Sequence, residues 1–219
     1  MKKRLLISLI LLIFLTTYSY QNNFKIKSYF EIDTIEVINN EIINEETIKK
    51  QLSFVYQNNI LFLKKKKITK ALSKISFIES YEIKKIFPNK IKVKIYEKKP
   101  IVVMQNKNEK YFYTKKGETI DFFEIEKFKN LPIVFGKKEK FKIFYANLLK
   151  LDFPLKEIKT FYSFRSNRWD IVTNQNQTIK LPIEGYIKSL QNFISIKNQV
   201  DFKKYRIFDY RIKDQLILK

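Results

Sequence analysis

Two neighbouring stretches constrain this chain more than anything else in it. Residues 77–87 (FIESYEIKKIF) and 90–98 (KIKVKIYEK) both alternate apolar and polar side chains, and only Pro88-Asn89 separates them. A period of two is the signature of an extended strand with one buried face, and a Pro-Asn joint between two such runs reads as a tight turn. In the second run Ile91, Val93 and Ile95 point one way and Lys90, Lys92 and Lys94 the other. The pair therefore predicts a half-buried antiparallel hairpin, with a lysine row on its solvated face that also discourages pairing with stray strands. The run stops at YEKKP (96–100). Pro100 has no N–H to give a central ladder, so it marks a boundary or an edge.

Upstream, FEIDTIEVI (30–38) reads as another strand, with Ile35 and Val37 on one face. Asn44 is placed to cap a helix whose first turn holds Glu45 and Glu46, where carboxylates suit the helix dipole. Ile48, Leu52 and Val55 follow at helical spacing. After QNNI, a second helix begins near Lys64 and carries Ile68, Leu72 and Ile75 on one face. The order is strand, helix, helix, strand, strand, and two helices would cover one face of a three-stranded sheet.

From residue 99 the chain is dominated by short strands. IVVMQ (101–105) and KYFYT (110–114) flank NKNE as a hairpin, and KKG (115–117) turns into ETIDF. LPIVFG (131–136) reads as a short buried strand closed by Gly136. Residues 138–154 are helical up to Pro154, with Phe141, Ile143, Phe144 and Leu148 as a broad apolar face. EIKTFYSFR, RWDIVT and TIKLP are strands, and a helix over about 184–197 presents Ile187, Leu190 and Ile194. YRIFDYRI and QLILK close the chain, joined through Lys213-Asp214. The fold class is α+β, and this second part is a mostly antiparallel β domain carrying two helices.

The first twenty residues, MKKRLLISLILLIFLTTYSY, put three cations ahead of an apolar run from Leu5 to Leu15, with Ser8 its one polar residue. Such a run is either a cleaved signal peptide or an uncleaved membrane anchor. Thr17-Tyr18-Ser19 is the nearest approach to a cleavage site, so the anchor is preferred. Either way residues 21–219 are exported, because the cations stay on the cytoplasmic side. The chain has a formal charge of +22, with 39 lysines and five arginines, and neither histidine nor cysteine. Catalysis by a cysteine nucleophile or a serine–histidine pair, histidine- or thiolate-held metals and disulfides are thereby excluded. A strong bias toward Lys, Ile, Asn, Phe and Tyr with three glycines also raises the lysine count without any ligand being involved.

Several short patterns occur in a fixed order: F-x-I-x-x-I-x-V at Phe30, Ile32, Ile35 and Val37, then YEKKP (96–100), KKG (115–117), LPIVFG (131–136), NRWDI (167–171), IKLP (179–182) and FDYR (208–211). Together they resemble the FtsQ/DivIB family of bacterial cell division proteins across nearly the whole chain. The strand–helix–helix–strand–strand unit resembles a POTRA domain. Three departures stand out: Thr114 where the family has an acid, Gln177 where it has a glycine, and Asn39-Asn40 where a turn glycine is common. Asparagine tolerates positive φ better than most residues, so that turn can survive.

The resemblance implies a cytoplasmic tail over 1–4, a single-pass signal anchor over 5–20, a linker over 21–29, a POTRA domain over 30–98 and a C-terminal β domain over 99–219. It implies an inner-membrane protein with a cytoplasmic N-terminus and a periplasmic bulk, located at the division septum. It implies a non-enzymatic scaffold without cofactor or metal. The implied partners are FtsB- and FtsL-type division proteins, with other divisome proteins meeting the POTRA domain and no nucleic acid. In this family a partner strand adds to the edge formed by the last strand. Transferred to this chain, that edge comprises Ile212, Gln215, Leu216, Ile217, Leu218 and Lys219. Arg211 matches a family arginine that meets a partner acid, and Arg168 lies one residue out of register with a second. The competing reading pairs Arg211 internally, with Asp209 or Asp170, and places Trp169 in the core. Other functions weighed are a POTRA-bearing factor of outer-membrane protein assembly or secretion, a basic membrane-surface or nucleic-acid-binding module using Lys and Tyr at 110–116, and an exported hydrolase using acids among Asp121, Glu124 and Glu126.

Overall fold

The computed structural model describes residues 2–16, 29–106, 109–197, 199 and 204–219. The apolar N-terminal run forms helix α1 (Lys2–Thr16), whose described side chains are exposed. No helix among the described residues is long and apolar enough to cross a membrane. Of the expected anchor over 5–20 and linker over 21–29, residues 17–28 lie outside the described residues. Beyond α1 the chain forms two compact units that divide between Glu97 and Lys98.

The first unit follows the expected order of elements. Strand β1 (Thr34–Ile38) is followed by helices α2 (Glu45–Gln51) and α3 (Lys65–Leu72), then by strands β2 (Ile78–Ile86) and β3 (Lys90–Glu97). Asn44 caps α2 as its sequence position predicts, its side chain accepting from Glu46 N at 2.9 Å. Ile35, Ile48, Leu52, Val55, Ile68, Leu72, Ile91, Val93 and Ile95 are all buried, so the helical and strand periodicities meet in one core. At roughly 25 cal/mol per Å² of apolar surface removed from water, this burial is the main stabilising term.

Two details differ from the sequence reading. The expected strand over 30–38 is extended only from Thr34. Its first residues instead bond to the 57–60 loop, Ile32 N to Asn58 O at 3.0 Å and Ile60 N to Phe30 O at 2.9 Å. The sheet order is β1-β3-β2, so β3 is central, parallel to β1 and antiparallel to β2. Its lysine row is therefore engaged. Lys90 and Lys92 both pair with Glu36 on β1, the second at 2.8 Å, and these bonds hold the Glu36 carboxyl below its usual range. Lys94 lies 5.0 Å from the centre of the Tyr96 ring.

The glutamate of YEKKP has a clear structural role. Glu97 Oε1 accepts from three successive backbone N–H groups, those of Glu41, Ile42 and Ile43, at 3.1, 2.9 and 2.8 Å. The turn that feeds this loop has Asn39 at φ 64°, with its Nδ2 donating to Ile95 O at 2.7 Å. Asparagine thus occupies the left-handed position where the family favours glycine.

The second unit is one nine-stranded sheet. Its strands are β4 (Pro100–Asn106), β5 (Glu109–Thr114), β6 (Thr119–Asp121), β7 (Ile133–Phe135), β8 (Ile158–Ser163), β9 (Trp169–Thr173), β10 (Thr178–Lys180), β11 (Ile207–Asp209) and β12 (Ile217–Leu218). The order across the sheet is β12-β11-β10-β9-β8-β7-β4-β5-β6. The pairings β4–β7, β7–β8 and β10–β11 are parallel and the other five antiparallel, so the sheet is mixed with an antiparallel majority.

Helices α4 (Lys138–Lys150) and α5 (Tyr186–Ile196) contribute Phe141, Phe144, Leu148, Leu190 and Phe193 to a core with Val134, Phe161, Ile171, Ile179 and Phe208. Trp169 belongs to this core, stacked on Phe144 with ring centres 4.5 Å apart. Two expected helix faces need correction. Ile143 is 68% exposed, because it lies about 100° around the helix from Phe144 and misses the stripe made by Phe141, Phe144 and Leu148. Ile187 is 38% exposed at the first turn of α5, and Phe193 takes the buried place beside Leu190. The turns at the two other family departures also close. Thr114 O accepts from Gly117 N at 3.0 Å, and Gln177 Nε2 donates to Tyr205 O at 3.1 Å.

Candidate partner-binding edge

The last strand lies at one edge of the nine-stranded sheet. β12 pairs with β11 in register Phe208↔Leu218 and Asp209↔Ile217. Beyond it, Lys219 N donates to Ile207 O at 3.1 Å, and Ile207 N donates back to Lys219 O at 2.9 Å. In an antiparallel ladder such mutually bonded pairs alternate with pairs whose backbone groups point away from each other. Leu218 is in the second class, so its N–H and C=O face outward from the sheet edge. Its side chain, with that of Leu216, packs on the core of the unit, which fixes a strand of only two residues in place. Ile217 is half-buried and, by the same alternation, lies on the opposite face. Ile212, Gln215 and Lys219 are exposed, Gln215 closing the preceding turn by donating its N–H to Ile212 O at 3.2 Å.

Next to this edge runs a row of charges. Asp170 on β9 is opposite Lys180 on β10, and Lys180 is opposite Asp209 on β11. An arginine sits at each acid. Arg211 Nε and Nη2 donate to the two Asp209 carboxylate oxygens at 2.8 and 2.6 Å, a forked pair, and Arg211 N adds a bond at 3.1 Å. Arg168 Nε donates to Asp170 Oδ1 at 3.3 Å, and its guanidinium lies 4.0 Å from the centre of the Phe164 ring. Both pairs are two residues apart along an extended segment, which puts their side chains on one face.

The two acids differ electrostatically. Arg211 holds the Asp209 carboxyl below its usual range, whereas burial pushes Asp170 up, opposed by Arg168 and Lys180. Asp209 in turn raises the Arg211 guanidinium further. Burial also raises Tyr210, whose hydroxyl bonds Asn192 at 2.9 Å on the core side.

The structure thus brings Arg211, Ile212 and the 215–219 segment to one edge, and it places Arg168 at the far end of the same charged row. Sequence reasoning named Asp209 and Asp170 as possible internal partners of Arg211, of which the structure bonds Asp209, and it left out Lys180. The available signal was a charged residue flanked by apolar neighbours in each short strand, as in WDI and IKL. Among the described residues no three metal-ligating side chains converge.

Both compact units match known protein families. Residues 30–98 match the FtsQ-type POTRA domain, and residues 101–211 match the C-terminal domain of cell division protein FtsQ/DivIB. The cell division protein FtsQ of Rickettsia conorii is 26% identical over 213 residues, spanning 94% of this chain and 78% of its own length. That of Agrobacterium fabrum is 20% identical over 194 residues, 87% of this chain and 61% of its own. The major extracytoplasmic domain of the division protein DivIB from Geobacillus stearothermophilus, in its trans isomer, is 12% identical, with a TM-score of 0.34 over 48% of this chain and 96% of that one. With family matches running through both compact units, this chain belongs to the FtsQ/DivIB family of cell division proteins.

Proposed function

We propose that this chain is a non-enzymatic scaffold of the division machinery that captures a segment of an FtsB- or FtsL-type partner by strand addition at β12. The observation that carries this reading is the edge itself, where Leu218 turns its N–H and C=O outward and Arg211 forks onto Asp209, the residue opposite Ile217. An extended partner segment gains backbone bonds at such an edge, and side chains set its register. Ile212, Gln215, Leu216, Ile217, Leu218 and Lys219 form the docking strip. Arg211 and Arg168 select acidic partner residues, since a guanidinium can bind a second carboxylate while keeping part of its first pair.

The N-terminal segment over 5–20 is the single-pass anchor in the inner membrane, with residues 1–4 cytoplasmic and 21–29 as linker. The POTRA unit over 30–98 meets other divisome proteins, and the β domain over 99–219 links them to septal peptidoglycan synthesis.

An N-terminal fluorescent fusion in dividing cells tests the reading. The wild-type chain is expected as a band at mid-cell that co-purifies with its FtsB-type partner. Arg211→Glu and Leu218→Pro are each expected to lower partner recovery at least tenfold, the first through charge and the second by removing an outward N–H. An even envelope signal, or full partner recovery in both variants, refutes it.

A further inference from the structure

The end of the POTRA unit at which the chain enters carries an apolar cluster that the unit itself does not cover. Phe62 is 79% exposed, Phe87 57% and Leu61 50%. They converge around the entry point: Ile60 N donates to Phe30 O at 2.9 Å, the Phe30 and Phe87 rings are 6.5 Å apart, and Lys85 Nζ donates to Leu61 O at 3.3 Å.

Directly after Phe62 and Leu63 come Lys64, Lys65, Lys66 and Lys67, all exposed, across the first turn of α3. That turn holds no acid, and Lys64 at the cap position makes no side-chain capping bond. A helix N-terminus favours anions, so four cations there cost the unit stability. A chain rich in lysine everywhere still has no local reason to place four of them at this terminus, beside so exposed a phenylalanine as Phe62. Among the described residues of the unit, Glu36 pairs with Lys90 and Lys92, and Glu45 with Lys49. At this end Asp33 is already bonded to Asn89 Nδ2 at 2.6 Å and Thr34 Oγ1 at 2.7 Å, and the backbone of Glu31 bridges to that of Asn59.

Exposed aromatic and aliphatic side chains ringed by lysines fit one partner well, the anionic surface of a bilayer. Apolar tips enter the headgroup region while ammonium groups pair with lipid phosphates. Position agrees with chemistry. Twelve residues lie between the end of α1 at Thr16 and Tyr29, so the entry end is tethered within about 45 Å of α1. We infer that the POTRA unit docks on anionic phospholipid through Leu61, Phe62 and Phe87, with Lys64–Lys67 and Lys85 as its electrostatic rim. The inference rests on the proposed reading that places this chain at a membrane.

The test uses the full chain in vesicles of phosphatidylcholine with about one quarter phosphatidylglycerol, containing nitroxide lipid as quencher. The chain has no cysteine, so Phe62→Cys, Ile10→Cys and Ile143→Cys each take one fluorophore. Residue 62 is expected to be quenched in anionic vesicles, where it exceeds residue 143, and to lose that quenching in pure phosphatidylcholine or at high salt. Each lysine near the surface shifts the docked-to-undocked ratio about fivefold, so Lys66→Gln with Lys67→Gln lowers it about twenty-five-fold. Quenching at residue 10 without quenching at residue 62 overturns the docking and leaves the anchor reading standing. Quenching at neither overturns both. Shielding of residue 62 only on addition of a division protein overturns the lipid surface in favour of a protein one.

Discussion

Glu97 offers the sharpest test of how the POTRA unit is held together. Its carboxylate takes three consecutive backbone N–H groups, from Glu41, Ile42 and Ile43, and Ile42 N also reaches Oε2 at 3.0 Å. One oxygen, Oε1, takes all three N–H groups, and Oε2 shares only that of Ile42. Hydrogen bonds to a charged group contribute about 1.5–3 kcal/mol each, and a buried N–H left unpaired costs about as much. Glu41 is exposed and Ile42 half-buried, while Ile43 is 7% exposed, so water can replace part of what is lost. Discounted in that way, Glu97→Ala is expected to destabilise the 41–43 loop by about 2–4 kcal/mol, and Glu97→Gln by about half as much, since the amide keeps one acceptor. Hydrogen exchange at the amides of residues 41–43 reads this directly. A tenfold change corresponds to about 1.4 kcal/mol, so exchange in Glu97→Ala should quicken by about thirtyfold to several hundredfold. Fluorescence of Trp169, which is buried in the other unit, serves as an internal control and should not change. Exchange within threefold of wild type at all three amides would refute the assignment of this glutamate as the fastener of the loop.

Two further outcomes follow from the β domain. A Cβ at Gly136 would stand 2.5 Å from Ser163 Cβ, so Gly136→Ala should cost about 1–3 kcal/mol, with Ser163→Gly restoring most of it in a double variant measured by denaturant unfolding. The paired acids should give opposite pH dependences when melting is followed by Trp169 fluorescence. The folded-state value of Asp209 lies below its unfolded one, so its contribution is present above the ordinary carboxylate range and is lost as pH falls through the depressed value; Asp209→Asn should abolish that acid-side loss. The value of Asp170 is raised by burial, so ionising it opposes folding, and Asp170→Asn should improve stability more at neutral than at acid pH.

Much of this architecture was legible in the chain because period-two and helical patterns report directly on burial. Ile91, Val93 and Ile95 announced β3, and Asn44 announced the start of α2. Strand order was not legible. Nothing in residues 90–97 says that β3 runs parallel to β1 as well as antiparallel to β2, or that the three residues of β7 sit between two parallel neighbours. Those pairings are set by where the connecting segments return the chain, and a strand's own side chains record only its two faces. Counting apolar residues also overran the true helix seams, as Ile143 and Ile187 show. At the candidate edge, Arg211 and the 215–219 segment could be named from the family likeness. The Asp170–Lys180–Asp209 row could not, because it exists only once three strands distant in sequence lie side by side.

The geometry of β12 also says where selectivity must come from on the proposed reading. An open edge strand is a hazard, since any extended segment can pair with it. This one is kept to two residues and pinned by Leu216 and Leu218, with Lys213 and Lys219 exposed at its flanks. So short an edge offers a partner few backbone bonds, each with a net value of about 1 kcal/mol, which is too little to choose among partners. The choice then falls to Arg211, whose forked pair with Asp209 holds the guanidinium beside the strand while its side chain remains 45% exposed. Because Asp209 already orients that group, a partner carboxylate meets it without the entropy cost of ordering a free arginine. Removing Asp209 should therefore weaken partner capture even though it removes a competing acid. Asp209→Asn, which still offers one acceptor to Arg211, should weaken capture less than Asp209→Ala in the same co-purification. Tighter capture by Asp209→Ala would mean that the acid merely competes with the partner, and the argument from pre-orientation would fail.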